Sequence, residues 1–259
     1  MEKYTISFLG AGRVAGIMCR ELHSTGHRIE MVVSLSEKGG RTLANECQAS
    51  WSDKACFPVT TDVIIVAVPD SRLKEVLGRL KCRPETIVAH TAGSIGLDLF
   101  PDRITRRGVI YPLQTFSHNR KISFNGLPVF IEASDNESAK VLADIAKSLG
   151  ARLYFTDTEH RRMLHIAAVF VCNFTNHMMT RGKELAESAG YAFEVLKPLI
   201  QETLIKAFEE GPENSQTGPA VRNDKNTVKK HKELLSFDRD LRRMYMEITK
   251  SIYKYHNKS

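Results

Sequence analysis

The chain has 259 residues, 42% hydrophobic and 26% charged, with 16 Gly, 9 Pro and 5 Cys. These proportions belong to ordinary globular protein and exclude a disordered chain, a collagen-like fibre and a disulfide scaffold. The formal net charge of +7 is unevenly placed, since from Pro219 to Ser259 eleven Lys or Arg face five Asp or Glu; with no helix-turn-helix, RNA-recognition or zinc-finger pattern beside it, that stretch reads as a solvated face or a site for a small anion, and nucleic acid is not an expected partner.

The first apolar run, YTISFLG, leads into Gly10, Gly12 and Ala15, which form GxGxxA where a strand should pass into a helix predicted from Arg13 to Thr25. In such a turn the first Gly permits a tight bend, the second lets backbone amides approach a pyrophosphate, and the small third residue allows close helix-to-strand packing. Arg13 and Val14 lie within the motif and join it as candidate cofactor-binding residues. The next strand, RIEMVVS, contains Glu30, about twenty residues after Gly10, where an acid would contact a ribose hydroxyl. Glu30 is followed by MVVS, however, and the residue at the strand end is Ser34. With no acid there, and with Ser36, Lys38 and Arg41 just beyond, the rim suits an extra 2′-phosphate, so NADP(H) is the expected cofactor.

After a helix near residues 40–49 comes DVIIVAVPD, residues 62–70, read as the fourth strand, with Val68 and Pro69 at its carboxyl end beside the switch point where ligands gather. A helix near residues 73–80 precedes ETIVAHT, which ends on His90 and runs on through Thr91, Ala92, Gly93 and Ser94. RGVIYP, LPVFIEA, a helix from about Glu137 to Leu149 and the strand ARLYFT follow. Strands too apolar to face water on either side argue for a parallel sheet covered on both faces, a doubly wound α/β Rossmann domain over residues 1–156.

From Thr156 the pattern changes. Thr156 and Glu159 have the spacing of a capping box, and no helix breaker follows until Gly190. Residues 157–259 read as an all-helical domain that cannot easily close a core alone, so a homodimer through this domain is expected. The five cysteines are scattered without a CxxC pair and read as buried thiols in a reducing compartment. No signal-peptide-like start and no run near ~18 apolar residues is present, so the expectation is a cytoplasmic protein without membrane contact. The histidines form no HExxH or clustered Cys/His set, and no metal is expected.

GAGRVAG, the acid-free VVS and DVIIVAVPD resemble the NADP-dependent enzymes that join a Rossmann domain to a 6-phosphogluconate-dehydrogenase-like helical domain, among them pyrroline-5-carboxylate reductase and the deazaflavin-dependent NADP oxidoreductases. HTAGS, YPLQTF, LHIAAVFVCNF and TGPAVRND followed by His231 are similar to a bacterial Rossmann-like family described as NADP oxidoreductases. The resemblance implies an active site between the nicotinamide and the helical domain, with a partner subunit contributing. It nominates His90 to Ser94, then His165 and Asn173, then the loop carrying Thr217, Gly218, Pro219, Arg222 and Asp224. The wider group places a catalytic Lys on the long helix, with an Asn one turn later. Here His165 lies near that position and Asn173 follows two turns on.

Hydride transfer to a carbonyl or imine requires a proton donor near the nicotinamide, and His165, Asn173 and His90 are the catalytic candidates. At 100° per residue His165, Asn176 and Thr180 share a narrow sector of the long helix, a polar stripe that would line either a cleft or a dimer seam. Ser94, Asn173, Thr217, Arg222 and Asp224 are candidate substrate contacts, with Arg222 suited to a carboxylate. Cys172, among Val, Phe and Ala, reads as inert. The expected function is an NADP(H)-dependent oxidoreductase acting on a small polar, anionic carbonyl/alcohol or imine/amine substrate. A non-catalytic NADP(H)-binding sensor or interaction protein is the alternative.

Overall fold

The structure, a computed structural model, describes residues 2–117 and 122–257. It divides into two compact units, Met1–Asn173 and Phe174–Ser259. The division falls one helix later than the strand pattern places it, because the first helix after the sheet is anchored to the first unit.

The first unit is built on one eight-stranded sheet. Its strands are β1 (Thr5–Leu9), β2 (Arg28–Val33), β3 (Ser50–Ser52), β4 (Val63–Val66), β5 (Ile87–His90), β6 (Arg107–Pro112), β7 (Pro128–Ala133) and β8 (Arg152–Phe155). They lie in the order β3-β2-β1-β4-β5-β6-β7-β8. The first six follow the doubly wound order, with the switch point between β1 and β4. Helices α1 (Arg13–Ser24), α2 (Glu37–Glu46), α3 (Asp70–Arg79) and α4 (Asn136–Ser148) connect them. The period-2 alternation of each strand sorts side chains into two layers. Ile6, Phe8, Val63 and Ile65 pack with Ala15 and Met18 of α1 and Leu142 and Ile145 of α4. Ile64, Val66 and Val88 face the other way, against Leu73 and Leu77 of α3 and Phe100.

Three expectations are corrected. The sheet is not wholly parallel: β6 and β7 pair antiparallel, with Tyr111 opposite Phe130. Among the described residues of the 113–127 connection no helix occurs, so it does not provide the crossover that a parallel pair requires. The third strand, implied by reading DVIIVAVPD as the fourth but not located in the sequence, is β3, three residues of modest apolarity. The capping box at Thr156 does not form, because the Asp157 carboxylate accepts from His160 N at 2.8 Å and caps the helix itself. Of the cysteines, Cys19 and Cys47 are buried, but Cys56 is exposed and Cys82 and Cys172 are half-buried.

The long helical run is observed as α5 (Thr158–Ala168), a π-helical segment Val169–Phe174, and α6 (Thr175–Ser188). A π turn carries an extra residue, so the 100° arithmetic that aligned His165 with Asn176 and Thr180 does not hold through it. The second unit comprises α6, a 3-10 turn Phe193–Leu196, α7 (Lys197–Glu209), the short α8 (Pro212–Ser215), α9 (Lys225–Leu234), a 3-10 turn Leu235–Phe237 and α10 (Arg239–His256). Arg181 pairs with Asp238, the cap of α10, and with Glu184 at 2.6 Å. His231 Nδ1 and the Tyr245 hydroxyl meet at 2.8 Å. Among the described residues of this unit only Ala220, Leu235 and Leu241 are buried hydrophobics, while Leu199 and Phe208 of α7 are 65% and 88% exposed. Among the described residues no helix is long and apolar enough to cross a membrane.

At the switch point, Gly10 has φ +117° and donates from its N–H to Val33 O at 2.8 Å. A Cβ there would sit 2.2 Å from Ala67 O, whereas one on Gly12 would meet nothing within 4 Å. Gly10→Ala is therefore expected to lower unfolding free energy by roughly 3 kcal/mol or more, through strain and overpacking, with Gly12→Ala costing under about 1 kcal/mol. Urea titrations of both variants measure the contrast, and equal losses would refute it.

Candidate active site

The carboxyl ends of β1, β2, β4 and β5 are laced together by backbone bonds. Gly10 N reaches Val33 O, Ala67 N reaches Leu9 O at 2.9 Å, and Thr91 N reaches Val66 O at 3.2 Å. This lattice brings the Gly10 turn, Val68 and Pro69, and the Thr91–Ser94 turn to one edge of the sheet. At that edge α1 begins on Gly12, which provides no side-chain cap, and no acid lies in the first turn. Its leading N–H groups carry the positive end of the helix dipole without an intrahelical acceptor. The empty space before Gly12 is one that a Cβ would enter freely, so packing within the protein does not demand a glycine there. A diphosphate fits this cradle by donor chemistry and by room. Ala15 is fully buried against the core as the third motif position, and Val14 is half-buried. Arg13 is exposed, with its guanidinium donating to Phe116 O at 3.4 Å.

The β2 end carries no acid. Glu30 accepts from Thr60 and Thr61 instead. The Ser34 hydroxyl, a candidate phosphate donor, is committed internally: it donates to Ser36 O at 2.9 Å and accepts from Trp51 Nε1 at 3.1 Å. Its part is to hold the rim in shape. Ser36 caps α2 through Gly39 N, and Lys38 is exposed. Arg41 pairs with Glu37 at 2.8 Å and lies 4.4 Å over the Trp51 ring. Trp51 and Leu35, which is 83% exposed at the strand end, were not foreseen. An exposed Leu directly after β2 was the signal available.

The opposite side of the cleft is organised by Arg161 of α5, whose side chain is wholly buried. Its guanidinium donates to Ala92 O at 3.0 Å, Gly93 O at 2.8 Å and Glu132 Oε2 at 2.6 Å. Thr158 donates to the other Glu132 oxygen, also at 2.6 Å. One helical turn after Arg161, His165 lies over Gly93, where a Cβ would be 2.6 Å from His165 Nδ1 and 2.8 Å from Tyr111 Cζ. The Tyr111 hydroxyl and His165 Nδ1 meet at 3.2 Å. Among the described residues His165 Nε2 has no hydrogen-bond partner. Burial raises the Tyr111 phenol above its usual range, against a lowering influence from Arg161. Ser94 donates to Asp70 at 2.6 Å, tying the turn to the start of α3. Arg161, Glu132, Tyr111 and Asp70 were not singled out as site residues. Their contacts join positions far apart in sequence, although Tyr111 lies in YPLQTF, a segment that carries the family resemblance.

His90 is placed differently from the expectation. It is fully buried, stacked on Phe100 at 5.4 Å, and its Nδ1 accepts from Ala92 N at 3.2 Å. Nε2 is buried without a hydrogen-bond partner among the described residues. Desolvation first, and then the Arg161 charge, push its pKa down to about 3. A neutral imidazole sealed beneath the turn shapes the turn and does not deliver protons. Asn173 is exposed at the end of the first unit. In the second unit Thr217 and Arg222 are exposed, but the Asp224 carboxylate accepts from Thr227 N and Oγ1 as the cap of α9 and is held below the usual carboxylate range by those bonds. That corrects its assignment as a free substrate ligand.

The sheet order, the glycine cradle and the acid-free rim define a dinucleotide-dependent oxidoreductase, and the comparisons with known proteins agree. Residues 5–93 match the family described as NADP oxidoreductase, coenzyme F420-dependent, and residues 127–252 match a domain family of unknown function, DUF2520. A crystal structure of a Bacteroides fragilis protein described as a "putative NADP oxidoreductase" is 38% identical, with TM-score 0.87, covering 97% of this chain and 98% of that one. The chain belongs to this family of NADP oxidoreductases. Protein TM1727 of Thermotoga maritima (20% identity, TM-score 0.73, 97% and 98% covered) and a pyrroline-5-carboxylate reductase of Coxiella burnetii (17%, 0.58, 98% and 98%) share the fold. No curated protein matches at a significant level.

His90 gives the fold a pH dependence of definite sign. Its folded pKa of about 3 lies below the 6.5 of an unperturbed histidine, so its contribution is present above pH 6.5 and is lost as pH falls from 6.5 towards 3. His27, also lowered by burial, adds in the same direction. His90→Gln should remove about one proton of linkage, a slope of about 1.4 kcal/mol per pH unit, from urea-measured stability between about pH 6 and 4. An unchanged slope would contradict the assignment.

Proposed function

We propose that the protein is an NADP(H)-dependent enzyme exchanging hydride with a small polar, anionic carbonyl/alcohol or imine/amine substrate, and that it works as a homodimer through its helical unit. The observation that carries the reading is the Tyr111–His165 pair seated on the Gly93 turn at the carboxyl edge of the sheet. When bound, NADP(H) supplies or accepts the hydride at its nicotinamide ring. Gly10, Gly12, Arg13, Val14 and Ala15 offer the amides and space for its diphosphate, Ser36, Lys38 and Arg41 the rim for its 2′-phosphate, and Val68, Pro69 and Thr91–Gly93 the floor beneath the ring.

His165 is the proton-exchanging group. In its cationic form Nδ1–H donates to the Tyr111 oxygen, and Nε2–H is left to protonate the oxygen or nitrogen of a reduced substrate, leaving neutral imidazole that regains its proton from water. Tyr111 stays a neutral phenol because burial disfavours its ionised form. Ser94 and Asn173 are the proposed substrate contacts of the first unit. The exposed Leu199, Leu204, Ile205 and Phe208 of α7 support dimerisation, since water contact with that much apolar surface is costly and a second copy supplies the cover.

Two measurements test this reading. Arg41→Ala should weaken NADPH binding about tenfold or more while changing NADH by less than about threefold, by calorimetry; equal losses would remove Arg41 from the 2′-phosphate site. Across α-keto acids and cyclic imines, NADPH oxidation followed by absorbance should identify a substrate. With it, His165→Gln should lower kcat about 10²- to 10⁴-fold and Tyr111→Phe by less, each with coenzyme affinity retained. Full activity in His165→Gln, or no turnover of any substrate in the panel, would count against the mechanism.

A further inference from the structure

The second unit contains a cavity of about 380 Å³ between α9 and α10 that the proposed reaction does not use. Lys225, Lys229 and Lys232 from α9 and Lys250 from α10 line it. Its apolar floor includes Val228, Met246 and Tyr253. Among the described residues none of the four lysines forms an ion pair. The one carboxylate in the lining, Asp224, is engaged in capping α9.

On α9 the lysines stand at i, i+4 and i+7, one above another on a single face. Like charges at i, i+4 destabilise a helix, and Lys250 from the facing helix adds to the repulsion. Lys232 is favoured by the dipole at the last turn of α9, but Lys225, Lys229 and Lys250 have no such compensation, and a bound anion would relieve their convergence. The volume lies in the range of small-molecule sites. The charges also converge on a concavity instead of spreading along a ridge, as a duplex-binding surface would need.

We infer that this cleft is a binding site for a small, multiply charged anion bearing carboxylate or phosphate groups, with its less polar body against Tyr253 and Met246. The lysines are exposed, so the interaction is screened by salt.

The test is calorimetry on the full chain saturated with NADPH, so that the coenzyme region is already filled, at low salt. Citrate and inorganic pyrophosphate are the probes, and they separate a carboxylate ligand from a phosphate one. One-to-one saturable binding by either probe, weakened at least tenfold in K229E/K250E and to a lesser degree in K225Q/K232Q, is expected. Retained NADPH affinity reports that each variant is folded, and the neutral pair keeps the test open should the reversal pair fail to fold. Absence of heat with both probes, or heat unchanged in both variants, overturns the proposal. So does preferential retention of duplex DNA, or a shift in oligomer mass in K229E/K250E without probe binding, which would assign the cleft to an acidic segment of a second copy.

Discussion

A guanidinium shut away from water has to be neutralised and saturated with acceptors, and in this protein one such group organises the proposed catalytic edge. Arg161 meets two carbonyls of the Ala92–Gly93 turn and the Glu132 carboxylate, leaving only its Nε without a partner. Removing one member of a buried pair of this kind costs about 3–5 kcal/mol, because the remaining charge stays desolvated. The contact therefore makes the turn, β7 and the start of α5 interdependent. His165 lies four residues after Arg161, so fixing Arg161 against Gly93 O also sets His165 over the same turn, within reach of Tyr111. The charge acts at a distance as well. It adds to the burial that keeps His90 neutral, and it opposes the burial that raises Tyr111.

This anchoring explains what the extra strands contribute. A six-stranded doubly wound sheet ends at β6 and has no counter-ion for Arg161. The antiparallel β7 lies beside it with Glu132 opposite Val109, two residues along the strand from the Phe130 that faces Tyr111. The antiparallel return thus supplies both the carboxylate for Arg161 and a ring against Tyr111, 6.5 Å between centroids. A parallel strand would have needed a crossover helix and a different register, and Glu132 would not then follow as a consequence of strand pairing.

Much of the sheet was legible because its signals are local. Strands such as VIIV at 63–66, buried on both faces, cannot be mistaken for half-exposed ones, and GxGxxA lies within a single strand-to-helix passage. The misses are non-local or depend on competition. Asp157 displaced Thr156 as a cap because a carboxylate one residue later reaches the same turn, and spacing alone does not rank the two. In the sequence Arg161 is one of two adjacent arginines near a helix start; only the fold reveals that Glu132 and two carbonyls surround it. His90 was attractive for its place at a strand end. The burial that disqualifies it as an acid comes from Phe100 and the turn itself, ten residues and fewer away in sequence but invisible to periodicity. The π segment at Val169–Phe174 defeated the phase argument for the polar stripe because it changes the residue count per turn without a proline or glycine to announce it.

The helix caps carry the same logic to the coenzyme edge. Side chains cap α2, α4, α5, α9 and α10: Ser36, Asp135, Asp157, Asp224 and Asp238 each accept a bond from a first-turn amide. Acids also stand in the first turns of α2, α3, α4 and α5. Helix α1 has neither device, although it begins at the switch point where four strand ends are laced together. Helices α6 and α7 also lack both but run on from preceding helical turns, whereas among the helices that follow a strand α1 alone leaves its dipole bare, forgoing roughly 1 kcal/mol of cap energy at that terminus. The omission is costly for folding alone and favourable for an anion arriving from solution, because a local Asp would occupy the same amides and repel the same charge. The absence of an acid from the β2 end obeys the same electrostatic rule for the second anionic group of the coenzyme, so the glycine turn and the rim are two parts of one positive field.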